Sequence, residues 1–261
     1  MSLIKNRFKE LAENNEQALI GFMMAGLPDK ELSLDCIKAA EQGGCDILEL
    51  GVPFSDPVAD GEIIERFHHR GVAMGLNLNN TLEFAALAKQ ATEFPLILFC
   101  YYNPIFQRGV SRFMSELKDI GISGLIVPDL PLDELETLKG YDIDAIPMVA
   151  PSSSDERLKL AGSFAPSFTY CVSVRGVTGV RALPEQEIKD YLDRVKLHSQ
   201  SPLALGFGIS SPEQIQAFKG HADAYVVGSH LAQIIEQGAS DPSALPGRME
   251  QAIARLKSAT R

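Results

Sequence analysis

Short, continuously apolar runs alternate along this chain with longer stretches in which apolar residues recur at helical spacing. Eight such runs stand out, at residues 18–26 (ALIGFMMAG), 45–53 (CDILELGVP), 95–103 (PLILFCYYN), 124–131 (GLIVPDLP), 144–151 (DAIPMVAP), 167–174 (SFTYCVSV), 202–210 (PLALGFGIS) and 223–231 (DAYVVGSHL). Few of them alternate apolar with polar, which is how strands read when a parallel sheet is covered on both faces. The intervals read as helices. Residues 30–44 put Leu32, Leu34, Ile37 and Ala40 on one face and stop at Gly43 and Gly44. Residues 111–122 open on Ser111 as an N-cap, and residues 210–220 begin with Ser-Pro-Glu and end on glycine. Ser152–Ser154 read as a capping run rather than a nucleophile, since no GxSxG surrounds them.

Strand and helix repeated eight times predict an α/β fold, a (β/α)8 TIM barrel. The amphipathic segment Ile4–Asn14 is expected to add an N-terminal helix that closes its bottom. A doubly wound open sheet is the rival. It would show a GxGxxG turn opening the first helix, and residues 24–32 (MAGLPDKEL) are no such turn. No linker, low-complexity tract or shift of composition divides the chain, so residues 1–261 are expected to form one barrel domain.

Composition narrows the partners. Of 261 residues 45% are hydrophobic, enough for a large core, and the formal charge of −10 argues against nucleic acid. An acidic chain that binds an anion must do so locally, with backbone N–H groups. Cys36, Cys45, Cys100 and Cys171 lack any CxxC or Cys/His ligand spacing and are expected to be reduced core thiols of a cytoplasmic protein. The first residues alternate charge with apolar positions and do not read as a signal peptide; no run is long enough to span a membrane.

In such a barrel the chemistry belongs to the C-terminal ends of the strands. Those ends are polar here: Glu49, Asn103, Asp129, Ser173, Gly206–Gly208 and Gly228–Ser229. GFGIS (206–210) and VGSH (227–230) pair glycine turns with helix starts, and GVTGV (176–180) is a third glycine-rich loop. Glycine lets backbone N–H groups converge on a phosphate, and a helix N-terminus adds a favourable dipole. Glu49 alternates with Leu48 and Leu50, so it is expected to point into the barrel, where burial raises its pKa and suits it to proton transfer near neutrality. Asp60, eleven residues later in a Pro-rich loop, is expected to be more solvated, ionised and ready to accept from a substrate N–H, so that the two carboxylates divide acid and base roles. His68–His69 read as a solvated pair without metal-like company, and His230 as a helix-start residue beside the phosphate loop.

The segment LELGVPFSDPVADG (48–61) closely resembles the signature of tryptophan synthase alpha chains, and GFMMAGLPD, YYNPIF, GLIVPDLP, APSSSDERL, SVRGVTGVR, PLALGFGISSPEQ and VVGS follow in the family's order and spacing. The resemblance spans essentially the whole chain. It implies a (β/α)8 barrel that cleaves indole-3-glycerol phosphate by a retro-aldol reaction to indole and glyceraldehyde 3-phosphate. It implies Glu49 as the acid/base acting at indole C3 and Asp60 as the carboxylate holding the indole N–H. It implies Phe22, Tyr101, Tyr170 and Phe207 as residues lining the substrate pocket, with Gly179, Gly208, Gly228 and Ser229 binding phosphate. The loops around Asp56 and Gly176–Arg181 resemble those that close over substrate. The implied partner is the tryptophan synthase beta chain, in an alpha2beta2 complex, which receives indole and carries pyridoxal phosphate; the alpha chain holds neither cofactor nor metal. Glu65, His68 and His230 depart from residues more usual in the family. A pentose-phosphate epimerase-type barrel would need metal-binding His and Asp at several strand ends. A different class, an interaction subunit that mainly activates the beta partner, differs from the enzyme in releasing little indole alone.

Overall fold

Parallel hydrogen bonding runs through all of the strands of the computed structural model, which describes residues 2–173, 184–206 and 208–261. Among these residues the chain order is helix α1 (Leu3–Glu13), strand β1 (Ala18–Met24), α2 (Lys30–Gln42), β2 (Ile47–Gly51), α3 (Glu62–Ala73), α4 (Leu78–Ala91), β3 (Leu96–Phe99), α5 (Tyr102–Arg108), α6 (Val110–Ile120) and β4 (Gly124–Ile126). Two very short strands follow, β5 (Asp144–Ala145) and β6 (Met148–Val149). Then come α7 (Asp155–Phe164), β7 (Thr169–Val172), α8 (Glu185–Lys196), β8 (Leu203–Gly206), α9 (Pro212–Ala217), β9 (Ala224–Val227), α10 (Ser229–Gln237) and α11 (Leu245–Lys257). The sheet order is β5-β4-β3-β2-β1-β9-β8-β7-β6.

The two ends of that order are one stretch of chain, so the sheet closes on itself as the predicted barrel. Residues 144–151, read from sequence as a single strand, form two half-strands: β5 pairs with β4, and β6 with β7. Pro147 has no N–H to give, so the ladder breaks there. Ile146 N–H still donates to Leu125 O at 2.9 Å, and Pro147 O accepts from Tyr170 N–H at 2.9 Å, which carries the barrel across the gap.

The predicted helices form with small displacements. α2 buries Cys36, Ile37, Ala39 and Ala40, with Leu32 and Leu34 at the edge of the contact. Ser154 and Ser211 cap α7 and α9, the latter in a reciprocal pair with Gln214. Ser111 does not cap α6. Gly109, at φ 85°, carries the chain directly from α5 into α6, so the helix starts one residue before Ser111.

α1 closes the N-terminal end of the barrel as expected, with Ile4, Phe8 and Leu11 buried. Phe8 packs on Phe168 with ring centroids 5.5 Å apart. The same end holds a buried ionic clamp. Asp46, 1% exposed, meets Arg7 Nη2 through Oδ1 at 2.6 Å; its Oδ2 meets Lys257 Nζ at 2.8 Å and accepts from Leu19 N–H at 2.7 Å. One carboxylate thus ties α1 and α11 to the start of the barrel. Removing one partner of a buried pair leaves the other desolvated and uncompensated. Asp46→Asn is therefore expected to lower stability by about 3 kcal/mol, read by urea denaturation, whereas removing the exposed Lys118–Asp142 pair leaves the midpoint unchanged.

Candidate active site

The register of β1 against β2 sets Phe22 beside Glu49, and both face a cleft at the C-terminal end of the barrel. Glycine clears room for the rings. A Cβ on Gly51 would lie 2.7 Å from the Phe22 ring, and one on Gly206 would fall on the Tyr170 hydroxyl. Phe99 adds an edge-on contact to Phe22, with centroids 5.5 Å apart at 85°. Ile64 from α3 and Val226 from β9 complete an apolar wall.

Glu49 is fully buried, and neither carboxyl oxygen has a hydrogen-bond partner. Burial disfavours its charged form and the nearby Asp60 reinforces this, pushing its pKa up to about 8 from an ordinary 4.5. At neutral pH the group therefore carries a proton in a wall of aromatic and aliphatic carbon, as its place in the strand predicts. Tyr170, on β7, lines the same cleft; burial first, then Glu49 and Asp60, hold its phenol well above the usual range, so it is a hydrogen-bond donor there.

Asp60 differs from expectation. It is 8% exposed, not solvated, and it enters the cleft from the loop that follows β2. Its Oδ2 accepts from the Tyr101 hydroxyl at 2.6 Å, and that hydroxyl in turn accepts from Ala59 N–H at 3.0 Å. Burial, followed by Asp60 itself, raises the Tyr101 pKa far above the phenol range, which keeps the donor protonated. His68 Nε2 lies 3.2 Å from the same oxygen. His68 is 0% exposed, so the expected solvated histidine pair is split: His68 points inward from α3 and His69 faces solvent. The helical spacing of α3 could have signalled this, since Ile64, Phe67, His68 and Gly71 make one buried face.

Gly208 adopts φ 89°, and Gly228 and Ser229 begin the nine-residue α10, whose N-terminus has no side-chain cap. All three line the cleft. The free N–H groups of that first turn, with the helix dipole behind them, suit an anion. His230 follows, half-buried, and burial, then Arg255, holds its pKa below the usual value.

Residues 8–261 match the family model of the tryptophan synthase alpha chain. A tryptophan synthase alpha chain from Syntrophomonas wolfei is 59% identical over 97% of this chain and 98% of its own length. The chain belongs to the tryptophan synthase alpha chain family. A second relative, from Desulfatibacillum aliphaticivorans, is 40% identical over the whole of both chains. Among solved structures, tryptophan synthase from M. tuberculosis in an aminoacrylate-bound form superposes with a TM-score of 0.88 at 31% identity, covering 100% of both chains.

Of the residues expected from the family, the structure brings Phe22, Glu49, Asp60, Tyr170, Gly208, Gly228 and Ser229 to one cleft. Tyr101 does not line it; it stands behind Asp60, stacked on Phe54 at 4.8 Å, and acts on the site through that carboxylate. Phe207, Gly179 and the glycine-rich loop at 176–180 lie outside the described residues. Phe99, Gly61, Ile64 and Val226 were missed. Phe99 was discoverable only with the register, because Ile97 pairs with Glu49 and Phe99 follows two residues later.

The raised Glu49 pKa has a sign that stability measurements can read. Between pH 4.5 and about 8 the unfolded chain has released this proton and the folded chain has not. Folding therefore weakens as pH rises through that window. Glu49→Gln carries no such proton, so urea titrations should show it gaining on the wild type by up to about 1.4 kcal/mol per pH unit crossed. Parallel stability curves would mean that Glu49 titrates as an exposed carboxyl.

Proposed function

We propose that this chain is a lyase that cleaves indole-3-glycerol phosphate to indole and glyceraldehyde 3-phosphate, as a step in making tryptophan. The observation that carries the reading is a buried, unpartnered Glu49 sharing an apolar cleft with Asp60 and with the bare N-terminus of α10. The protonated Glu49 delivers its proton to indole C3, giving an indolenine whose positive charge at N1 is stabilised by Asp60. The bond from C3 to the first glycerol carbon then breaks, and its electron pair restores the aromatic ring. The hydroxyl on that carbon becomes the aldehyde, and its proton returns to the Glu49 carboxylate, so the acid is regenerated within one turnover. Phe22, Phe99 and Tyr170 sandwich the ring, and Gly208, Gly228 and Ser229 hold the phosphate.

The chain's own chemistry needs no cofactor in this reading, because the indole ring serves as the electron sink. Its partner is a tryptophan synthase beta chain, in an alpha2beta2 complex, which takes up the indole and holds pyridoxal phosphate. Two exposed apolar side chains, Val58 (63%) and Phe106 (67%), follow β2 and β3 on the face where the cleft opens, which suits docking there. A cytoplasmic location accords with four buried, unpaired cysteines.

Indole release from indole-3-glycerol phosphate by the purified chain tests the reading. Glu49→Gln should lower kcat by about 10²–10⁴-fold and Asp60→Asn by about 10²-fold, with substrate still bound. Wild-type and Glu49→Gln chains releasing indole equally would refute the assignment.

A further inference from the structure

His68 is a buried histidine that the reaction as described does not use. It is wholly buried on α3, and its two ring nitrogens face different parts of one loop. Nδ1 accepts the Phe54 N–H at 3.1 Å, which places the ring proton on Nε2. Nε2 lies 3.2 Å from Asp60 Oδ2, but off the axis of a hydrogen bond, and it has no aligned partner. A buried N–H left in that state costs free energy that a small turn of the carboxylate would recover. Tyr101 grips the same oxygen from the other side and stands edge-on to the imidazole, with ring centroids 5.8 Å apart.

We propose that His68 is a positioning residue for Asp60: its Nε2–H fixes the carboxylate while its Nδ1, bound to the Phe54 amide, ties that carboxylate to the loop closing one side of the cleft. The inference rests on the role given to Asp60 under the proposed reaction. With Oδ2 held by Tyr101 and His68, Oδ1 is the oxygen left for the ring N–H. When that N–H engages Oδ1, the carboxylate turns and the Nε2–H contact comes into line, as catalytic hydrogen bonds often tighten only with substrate in place. The contact then keeps the carboxylate aimed at the ring nitrogen while charge builds there, so its loss falls on kcat rather than on KM.

The side chain's two contacts separate by substitution. Leu at position 68 removes both. Gln reaches far enough to return an N–H donor toward Asp60, and Asn returns only a short acceptor for the Phe54 amide. In steady-state indole release by the full chain, His68→Leu should lower kcat roughly ten- to a hundredfold, with KM changed less than about twofold. His68→Gln should recover kcat to within about threefold of wild type, and His68→Asn should stay as low as His68→Leu. In an Asp60→Asn background His68→Leu should have almost no further effect, because the group it positions is gone. An equal loss in both backgrounds, or a loss that tracks the folded fraction by circular dichroism, would overturn the proposal and leave His68 a packing residue. If His68→Leu fails to fold, the Gln-to-Asn ratio of kcat decides, and a ratio near one overturns it. A wild-type chain that releases no indole refutes the reaction and the His68 role together. An active wild type with a crippled Asp60→Asn and uncoupled His68 variants refutes the His68 role alone.

Discussion

A carboxyl group with neither oxygen hydrogen-bonded lies buried inside a parallel barrel, and the rest of the site is arranged around it. Glu49 has no freedom to escape it: strand alternation sends Leu48 and Leu50 toward the helices and Glu49 toward the axis. Parallel register then places Phe22 and Ile97 on its flanks. Burial retains the proton, and Asp60 as a neighbour strengthens the retention. A group that holds a proton at neutral pH while remaining open to a cleft is suited to give it to a ring carbon.

The residue just before the same strand is a second buried carboxylate with the opposite treatment. Asp46, three residues upstream of Glu49, is paired by Arg7 and Lys257 and by the Leu19 N–H, all at short range. At the closed end of the barrel, polar groups are satisfied and hold the terminal helices in place. At the open end they are left in want of a ligand. Four consecutive residues, Asp46 to Glu49, thus span both demands.

Much of this was legible in the chain. Continuous apolar runs between helical intervals specified a parallel barrel, and Glu49 could be placed facing inward from alternation alone. Gly208, at φ 89°, and Gly228, at the uncapped start of α10, lie in the cleft where the glycine turns read as an anion-suited rim. What sequence could not supply was set by contacts distant along the chain. Asp60 reads as a loop residue beside glycine and hence wet; it is dry because Tyr101, forty-one residues later, reaches it. His68 reads as half of a solvated pair, yet the buried stripe of α3 claims it. Phe99 needed the pairing of β3 with β2, and the break in the fifth strand was visible in Pro147 but not the way its two halves close the barrel.

The Glu49 carboxyl of the folded protein holds its proton at neutral pH. Infrared difference spectroscopy of the wild-type chain against Glu49→Gln reads that state directly, through the carbonyl stretch of a protonated carboxylic acid. That band is expected at pH 7, fading as pH passes through about 8 while a carboxylate band replaces it. A difference spectrum showing only carboxylate at pH 7 would contradict it.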